Sequence, residues 1–112
     1  MIICSDFDGT IAGHAYPKIG EPNNKVLIRL IQLKKEGHKL ILWTCRDGIE
    51  LEAAVEWCKN KGLIFDAVNE NLPEIEATFI RTSRKVYADF YLDDRNLTIE
   101  KFSRWGINQS NN

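Results

Sequence analysis

Two pairs of acidic residues are the strongest chemical feature of this sequence. One pair is Asp6 and Asp8, and the other is Asp93 and Asp94. In an extended segment residues i and i+2 point the same way, so the first two carboxylates can face one substrate atom. Four carboxylates gathered at one site would repel each other strongly unless a cation compensates. Because the pattern offers no imidazole or thiolate partner, it suits a hard, oxygen-seeking ion, and Mg²⁺ is the first candidate.

The acidic pairs follow apolar segments that alternate with amphipathic ones. The sequence predicts strands over residues 1–4, 40–43, 64–68 and 87–92. It predicts helices from residue 24 to the glycine at position 37, over 49–61, over 73–83 and, closing the chain, over 97–105. Repeated Gly and Pro over residues 9–23 indicate a loop or a tight local hairpin. The alternation predicts an α/β fold, a single-domain Rossmann-like three-layer sandwich with a mainly parallel central sheet.

Polar residues follow every predicted strand. They are Asp6 and Asp8, Thr44 and Arg46, Asn69 and Asn71, and Asp93 and Asp94. In open parallel sheets, ligands bind beyond the carboxyl ends of the strands. We therefore expect one functional site at this edge of the sheet.

Length and composition limit the classes of protein that fit. The chain of 112 residues suffices for one compact domain, which we place at residues 1–107 with a polar, frayed tail at 108–112. Its 15 basic and 16 acidic residues argue against a polyanion-binding surface spread over the whole protein. No apolar run approaches the roughly 20 residues of a membrane span. Three cysteines in unrelated local settings favour reduced thiols and a cytoplasmic location.

Four segments, taken in order, resemble the motifs of the haloacid dehalogenase-like (HAD) hydrolases. The apolar strand leading into residues 6–10 is similar to motif I, and residues 40–44 are similar to motif II. Lys85 matches the basic residue of motif III, and residues 90–94, which end in two acids, match motif IV. Residues 16–20, 42–46 and 93–96 are also similar to a subgroup of small bacterial and phage HAD hydrolases.

The resemblance implies a Mg²⁺-dependent phosphatase that hydrolyses a phosphate monoester. Asp6 would be the nucleophile and would form an aspartyl-phosphate, while Asp8 would act as general acid and then general base. Thr44 would hydrogen-bond a phosphoryl oxygen, and Lys85 would add positive charge beside the transferring group. Arg81 and Arg84 stand near Lys85 and are the alternatives for that role.

The same resemblance assigns the metal and substrate contacts. The metal site would comprise Asp6, Asp8 through its backbone carbonyl, and Asp93 or Asp94. The candidate substrate contacts are Gly9, Thr10, Arg46 and Asn69. For Arg46, Asn69 and Asn71, a substrate contact and an ordinary loop position explain the residue equally well. For His14 we expect solvent exposure, with a substrate contact as the alternative. We expect Trp43, Trp57 and Trp105 in the core or an interface rather than as a stacking platform.

The chain leaves little room for a cap domain over the site. Residues 11–24 suffice for a short flap, and residues 47–84 are already occupied by predicted helices and a strand. An open site suits a phosphorylated macromolecular end, or a small molecule over which a second copy of the chain closes. The alternatives to a small-molecule phosphatase are therefore a nucleic-acid end phosphatase and a non-catalytic phosphate-binding or regulatory HAD-like domain.

Overall fold

Four parallel strands form the centre of the molecule. In the computed structural model, which describes residues 1–77, 85–96 and 98–104, they are β1 (Ile2–Ser5), β2 (Lys39–Leu42), β3 (Ala67–Val68) and β4 (Phe90–Leu92). The sheet order is β3-β2-β1-β4, and every neighbouring pair is parallel. Since β2 and β4 flank β1 on opposite sides, the winding reverses at β1, where open α/β sheets place their ligands.

Helices separate the strands along the chain, as predicted. They are α1 (Asn24–Lys35), α2 (Gly48–Asn60), α3 (Pro73–Glu76) and α4 (Ile99–Arg104). The fold is therefore a Rossmann-like α/β domain. Within the described ranges, no helix combines the length and the apolar character needed to cross a membrane.

Apolar side chains cover both faces of the sheet. Leu40 and Leu42 of β2 point to a core that contains Leu27 and Leu30 of α1 together with residues of α2. Ile41, between them, points to the opposite face and packs in a second cluster with Leu72 and Val86. Because successive strand residues face opposite sides, a strand buried on both faces must be apolar throughout, and residues 40–42 are.

The predicted loop at residues 9–23 is confirmed as a flap tied back on itself. Ala12 and Pro22 form an isolated antiparallel bridge, and the Gly13 N–H donates to the Glu21 carbonyl at 2.8 Å. This pairing holds the base of the flap, residues 13–21, beside the first acidic pair.

The third strand is shorter than predicted, because an aspartate side chain replaces part of the sheet pairing. The prediction covered residues 64–68, whereas β3 contains Ala67 and Val68. The Asp66 backbone N–H donates to the Leu40 carbonyl at 2.8 Å, but the Leu40 N–H donates to Asp66 Oδ2 at 2.8 Å. Lys34 Nζ donates to the other oxygen at 2.7 Å.

Several predictions extend beyond the described residues. The helix predicted over 73–83 is confirmed for Pro73–Glu76, and its continuation over 78–83 lies outside those residues. The closing helix is described as Ile99–Arg104. The tail at 108–112 also lies outside the described ranges.

Candidate functional site

A cleft of 730 Å³ opens at the carboxyl ends of β1, β2 and β4. It is lined by Asp6, Asp8, His14, Tyr16, Trp43, Thr44, Cys45, Arg46, Asp93 and Arg95. The site therefore lies at the sheet edge indicated by the strand directions, and residues that are far apart in sequence meet there.

Three carboxylates form a compact acidic cluster, and two of them, Asp6 and Asp93, line the cleft. Asp6, Asp93 and Asp94 each offer an oxygen, and these oxygens lie within 4.8 Å of one another. The cluster is fixed where β1 meets β4, because the Asp6 N–H donates to the Leu92 carbonyl at 2.9 Å. Burial raises the pKa of Asp6, and the negative charges of its acidic neighbours raise it further against a backbone hydrogen bond from Phe7.

The donor chemistry of this cluster fits a divalent cation such as Mg²⁺. All three groups are carboxylates, which hard cations prefer, and their mutual repulsion is relieved when positive charge is placed among them. Asp8 contributes no carboxylate oxygen to the cluster. Its predicted contact with the metal is through the backbone carbonyl, and this contact stays a prediction.

Residues 10 and 14, in the loop over residues 9–23, contact Asp94. Thr10, which is buried, accepts a hydrogen bond at Oγ1 from the Asp94 backbone N–H at 3.1 Å. His14 Nε2 and Asp94 Oδ2 are hydrogen-bonded at 2.9 Å, and this bond is the main reason that the pKa of Asp94 is lowered. His14 is exposed, as expected. Its hydrogen-bond partner is Asp94, a carboxylate of the acidic cluster. No pattern in the sequence indicates this contact, which joins residues 80 positions apart.

The backbone conformation at position 9 requires glycine, and a Cβ there would also displace the ends of two side chains. Its φ is +84°, and a Cβ there would lie 2.3 Å from Asp94 Oδ2 and 2.3 Å from His14 Nε2. Gly9 and Thr10 were predicted as substrate contacts. The structure places both beside Asp94 and outside the lining of the cleft. Their contact with a substrate stays a prediction.

Arg46 is buried beneath the cleft, with all five of its N–H donors engaged. Its Nε and Nη2 donate to the two oxygens of Asp8, each at 2.8 Å. Nη2 also donates to the Lys18 carbonyl at 2.7 Å. Nη1 donates to the Pro17 carbonyl at 3.2 Å and to the Glu50 carbonyl at 3.4 Å. One side chain therefore joins the first acidic pair, the flap and α2.

Two aromatic rings complete the surroundings of this guanidinium. Its carbon lies 5.0 Å from the ring centre of Phe7 and 5.2 Å from that of Tyr16. The Arg46 side chain is 1% exposed, and the hydrogen bond to Asp8 raises the pKa of Arg46. This arrangement differs from the predicted substrate contact, because no N–H remains for a phosphate. Arg46 holds the Asp8 carboxylate in place instead.

Thr44 and Asn69 act together at the end of β2. Asn69 has a left-handed backbone conformation, with φ 55°, and its Oδ1 accepts a hydrogen bond from the Thr44 N–H at 2.8 Å. Asn69 Nδ2 also donates to the Arg46 carbonyl at 3.4 Å. Asn69 therefore fixes the loop that carries Thr44, whereas Thr44 itself lines the cleft.

Lys85 lies beside a second, smaller cavity of 240 Å³, whose lining also includes Asp6, Trp43 and Asp93. Its Nζ is 5.5 Å from the ring centre of Tyr91. Lys85 and the proposed nucleophile thus border the same space. The alternatives, Arg81 and Arg84, lie outside the described residues, so the assignment of the motif III role stays a prediction.

Four further residues of the cleft were missed by the sequence analysis. Trp43 is half-exposed rather than a core residue, and Tyr16, Cys45 and Arg95 also belong to the lining. The position of Trp43 directly before Thr44 was a usable signal, because it places the ring at a strand end. Tyr16 belongs to an irregular loop, for which no periodic pattern indicates direction.

The fold and the site together define a Rossmann-like α/β domain with an acidic cleft at its topological switch point. The sequence matches no protein-family model, and a comparison with curated proteins gives no match. The chain is similar to the solved structure of a conserved protein from Bacteroides thetaiotaomicron, with 47% identity and a TM-score of 0.77. The match covers 87% of this chain and 78% of the other. The chain belongs to the same family as that conserved protein.

Proposed function

We propose that the chain is a Mg²⁺-dependent phosphatase of the HAD type, which hydrolyses a phosphate monoester through an aspartyl-phosphate on Asp6. One observation carries the proposal. Asp6 follows the central strand into an open cleft, and its carboxylate oxygen lies within 4.8 Å of oxygens from Asp93 and Asp94. A nucleophilic carboxylate beside a cation site is the arrangement that phosphoryl transfer through an acyl phosphate needs.

The reaction would proceed in two displacements at phosphorus. In the first, an oxygen of Asp6 forms a bond to phosphorus while the bond to the ester oxygen breaks, and Asp8 gives a proton to the leaving alcohol. In the second, Asp8 takes a proton from water, whose oxygen attacks phosphorus and releases inorganic phosphate. Asp6 is thereby restored as a carboxylate and Asp8 as an acid.

The ion pair with Arg46 leaves further lone-pair sites on the Asp8 carboxylate for a proton. A carboxylate offers about four lone-pair sites on its two oxygens. Arg46 uses one site on each oxygen, at 2.8 Å. The Asp8 side chain is 19% exposed and borders the cleft, so its remaining sites can face a leaving group. Arg46 would be a positioning residue that fixes the direction of these sites.

The acidic cluster would hold Mg²⁺ through Asp6 and through Asp93 or Asp94. When bound, the ion would offset the repulsion between the nucleophile and a phosphate dianion and would stabilise charge on the phosphoryl oxygens. Thr44 would donate its hydroxyl to a phosphoryl oxygen, since it borders the same cleft as Asp6.

Hydrolysis of p-nitrophenyl phosphate tests the proposal. The wild type, Asp6→Asn and Asp8→Asn are compared with Mg²⁺ and with EDTA, and Glu56→Gln on the exposed side of α2 is the matched control. We expect metal-dependent turnover that is lost in both aspartate variants and retained in the control. Turnover that survives Asp6→Asn would contradict the assigned nucleophile. Stable labelling by acetyl phosphate without turnover would favour a phosphoryl-accepting, regulatory function instead.

A further inference from the structure

The cleft is much larger than the proposed reaction centre requires. A phosphoryl group fills a small part of 730 Å³, whereas volumes of about 300–1,000 Å³ are typical of pockets that enclose whole organic ligands. The remaining space is therefore large enough to bind the leaving group of the substrate.

Two large aromatic rings line this space. Tyr16 is 61% exposed and Trp43 is 38% exposed, and both border the same cleft as the nucleophile Asp6. Trp43 directly precedes Thr44, and Tyr16 belongs to the flap, so the rings come from two different elements. Much of the remaining lining is charged or polar, which makes these rings the main apolar surface available to a ligand.

Each ring is held in place by a contact with the protein. Tyr16 packs over the guanidinium of Arg46, which lies 5.2 Å from the ring centre. Trp43 is in a tilted contact with Tyr91, with ring centres 5.9 Å apart and an interplanar angle of 51°. Because the rings are already oriented, a ligand that stacks on them pays a smaller ordering cost than on free side chains.

We propose that Tyr16 and Trp43 form a recognition surface for a planar aromatic ring in the leaving group of the substrate. This inference rests on the proposed phosphatase function. Aromatic surfaces attract other planar rings by offset stacking and edge contacts in addition to burial of apolar area. An aryl group and a nucleobase share this chemistry, and the choice of substrates separates these two sources.

The experiment uses pairs of substrates that match in leaving-group chemistry. Benzyl phosphate is compared with cyclohexylmethyl phosphate, and adenosine 5′-monophosphate is compared with ribose 5-phosphate. The quantity measured is the ratio of kcat/KM for the ring-bearing ester to that for its partner. We expect a ratio of at least about 5 for one pair, and the pair that shows it identifies the aryl or the nucleoside source.

The variants Tyr16→Leu and Trp43→Leu should each lower this ratio by about 5- to 100-fold, the range typical of lost ring stacking. Tyr16→Phe and Trp43→Phe keep a ring and should retain most of the ratio. Tyr87→Leu is the control, because Tyr87 is also exposed, at 48%, but does not line the cleft. A structural role alone would lower kcat/KM for both esters equally and leave the ratio unchanged.

Failure of this inference can be distinguished from failure of the proposed function. Hydrolysis of both members of each pair at equal efficiency would overturn the ring recognition and retain the phosphatase. If no ester is hydrolysed, titration calorimetry of the wild type with the same monophosphates decides. Ring-dependent binding that is weakened in Trp43→Leu would retain the recognition surface without the enzyme, and equal or absent binding would overturn both.

Discussion

Replacement of Arg46 should show how strongly this one side chain organises the site. Arg46→Met removes the charge and every donor while keeping a long apolar stem between Phe7 and Tyr16. It leaves the Asp8 carboxylate and the carbonyls of Pro17 and Lys18 without their donors. Arg46→Lys keeps the charge but cannot donate in two parallel hydrogen bonds to one carboxylate.

The expected loss of stability follows from burial. Breaking a buried ion pair by removing one partner costs about 3–5 kcal/mol, because a charge remains without compensation. The Arg46 side chain is 1% exposed but the Asp8 side chain is 19% exposed, so water can partly solvate the remaining carboxylate. We therefore expect Arg46→Met to lower the free energy of unfolding by about 3 kcal/mol, the lower end of that range.

Urea denaturation of a double-mutant cycle measures this coupling. The four proteins are the wild type, Arg46→Met, Asp8→Asn and the double variant. In the double variant, Asp8→Asn should remove most of the destabilisation that Arg46→Met causes by leaving Asp8 unpaired. The coupling energy should therefore be about 2 kcal/mol. Arg46→Lys should fall between the wild type and Arg46→Met. Additive single effects, with a coupling below about 0.5 kcal/mol, would refute the argument that Arg46 acts mainly on Asp8.

Three smaller changes test the supports of the acidic cluster and of the sheet. Thr10→Val removes the acceptor for the Asp94 N–H and should cost about 1–3 kcal/mol in urea denaturation and weaken Mg²⁺ binding in calorimetry, whereas Thr10→Ser should retain both. Gly9→Ala should cost at least about 1–2 kcal/mol through its left-handed backbone and also weaken Mg²⁺ binding, because its Cβ would press on Asp94. Unchanged metal affinity in either variant would show that the cluster does not depend on these supports. For Asp66, burial opposes ionisation, but hydrogen bonds from Lys34 and a backbone N–H prevail and the net pKa is lowered. The ionised form therefore stabilises the fold above the ordinary carboxyl value of 3.8. Asp66→Asn should lower the free energy of unfolding by about 1 kcal/mol at pH 7. This difference should narrow as the pH falls below 3.8 and through the lower pKa of Asp66 in the folded state. A pH-independent difference would contradict the assignment.

The positions of the acidic residues were predictable because strand direction alone determines them. Asp6 directly follows β1, Asp93 directly follows β4, and parallel strands end at the same sheet edge. The order of the strands was not needed for this expectation. The length of β3 was less predictable, since it depends on whether the Asp66 side chain or the backbone accepts from Leu40. Either a side-chain or a backbone acceptor satisfies the Leu40 N–H, and the residue types alone do not distinguish the two.

The role of Arg46 could not be predicted from the sequence. A cation beside an anion-binding site can pair with the substrate or with a carboxylate of the chain, and the residue type is the same in both cases. The other hydrogen-bond acceptors around the guanidinium decide between these two partners. The carbonyls of Pro17 and Lys18 face the Arg46 guanidinium, and they need donors that a phosphate cannot supply. Moving Arg46 to a substrate would leave these carbonyls and Asp8 without their partners. The burial of Arg46 therefore favours pairing with the Asp8 carboxylate over pairing with a phosphate ligand. This preference arises from partners that lie 28 to 38 positions away from Arg46 in sequence.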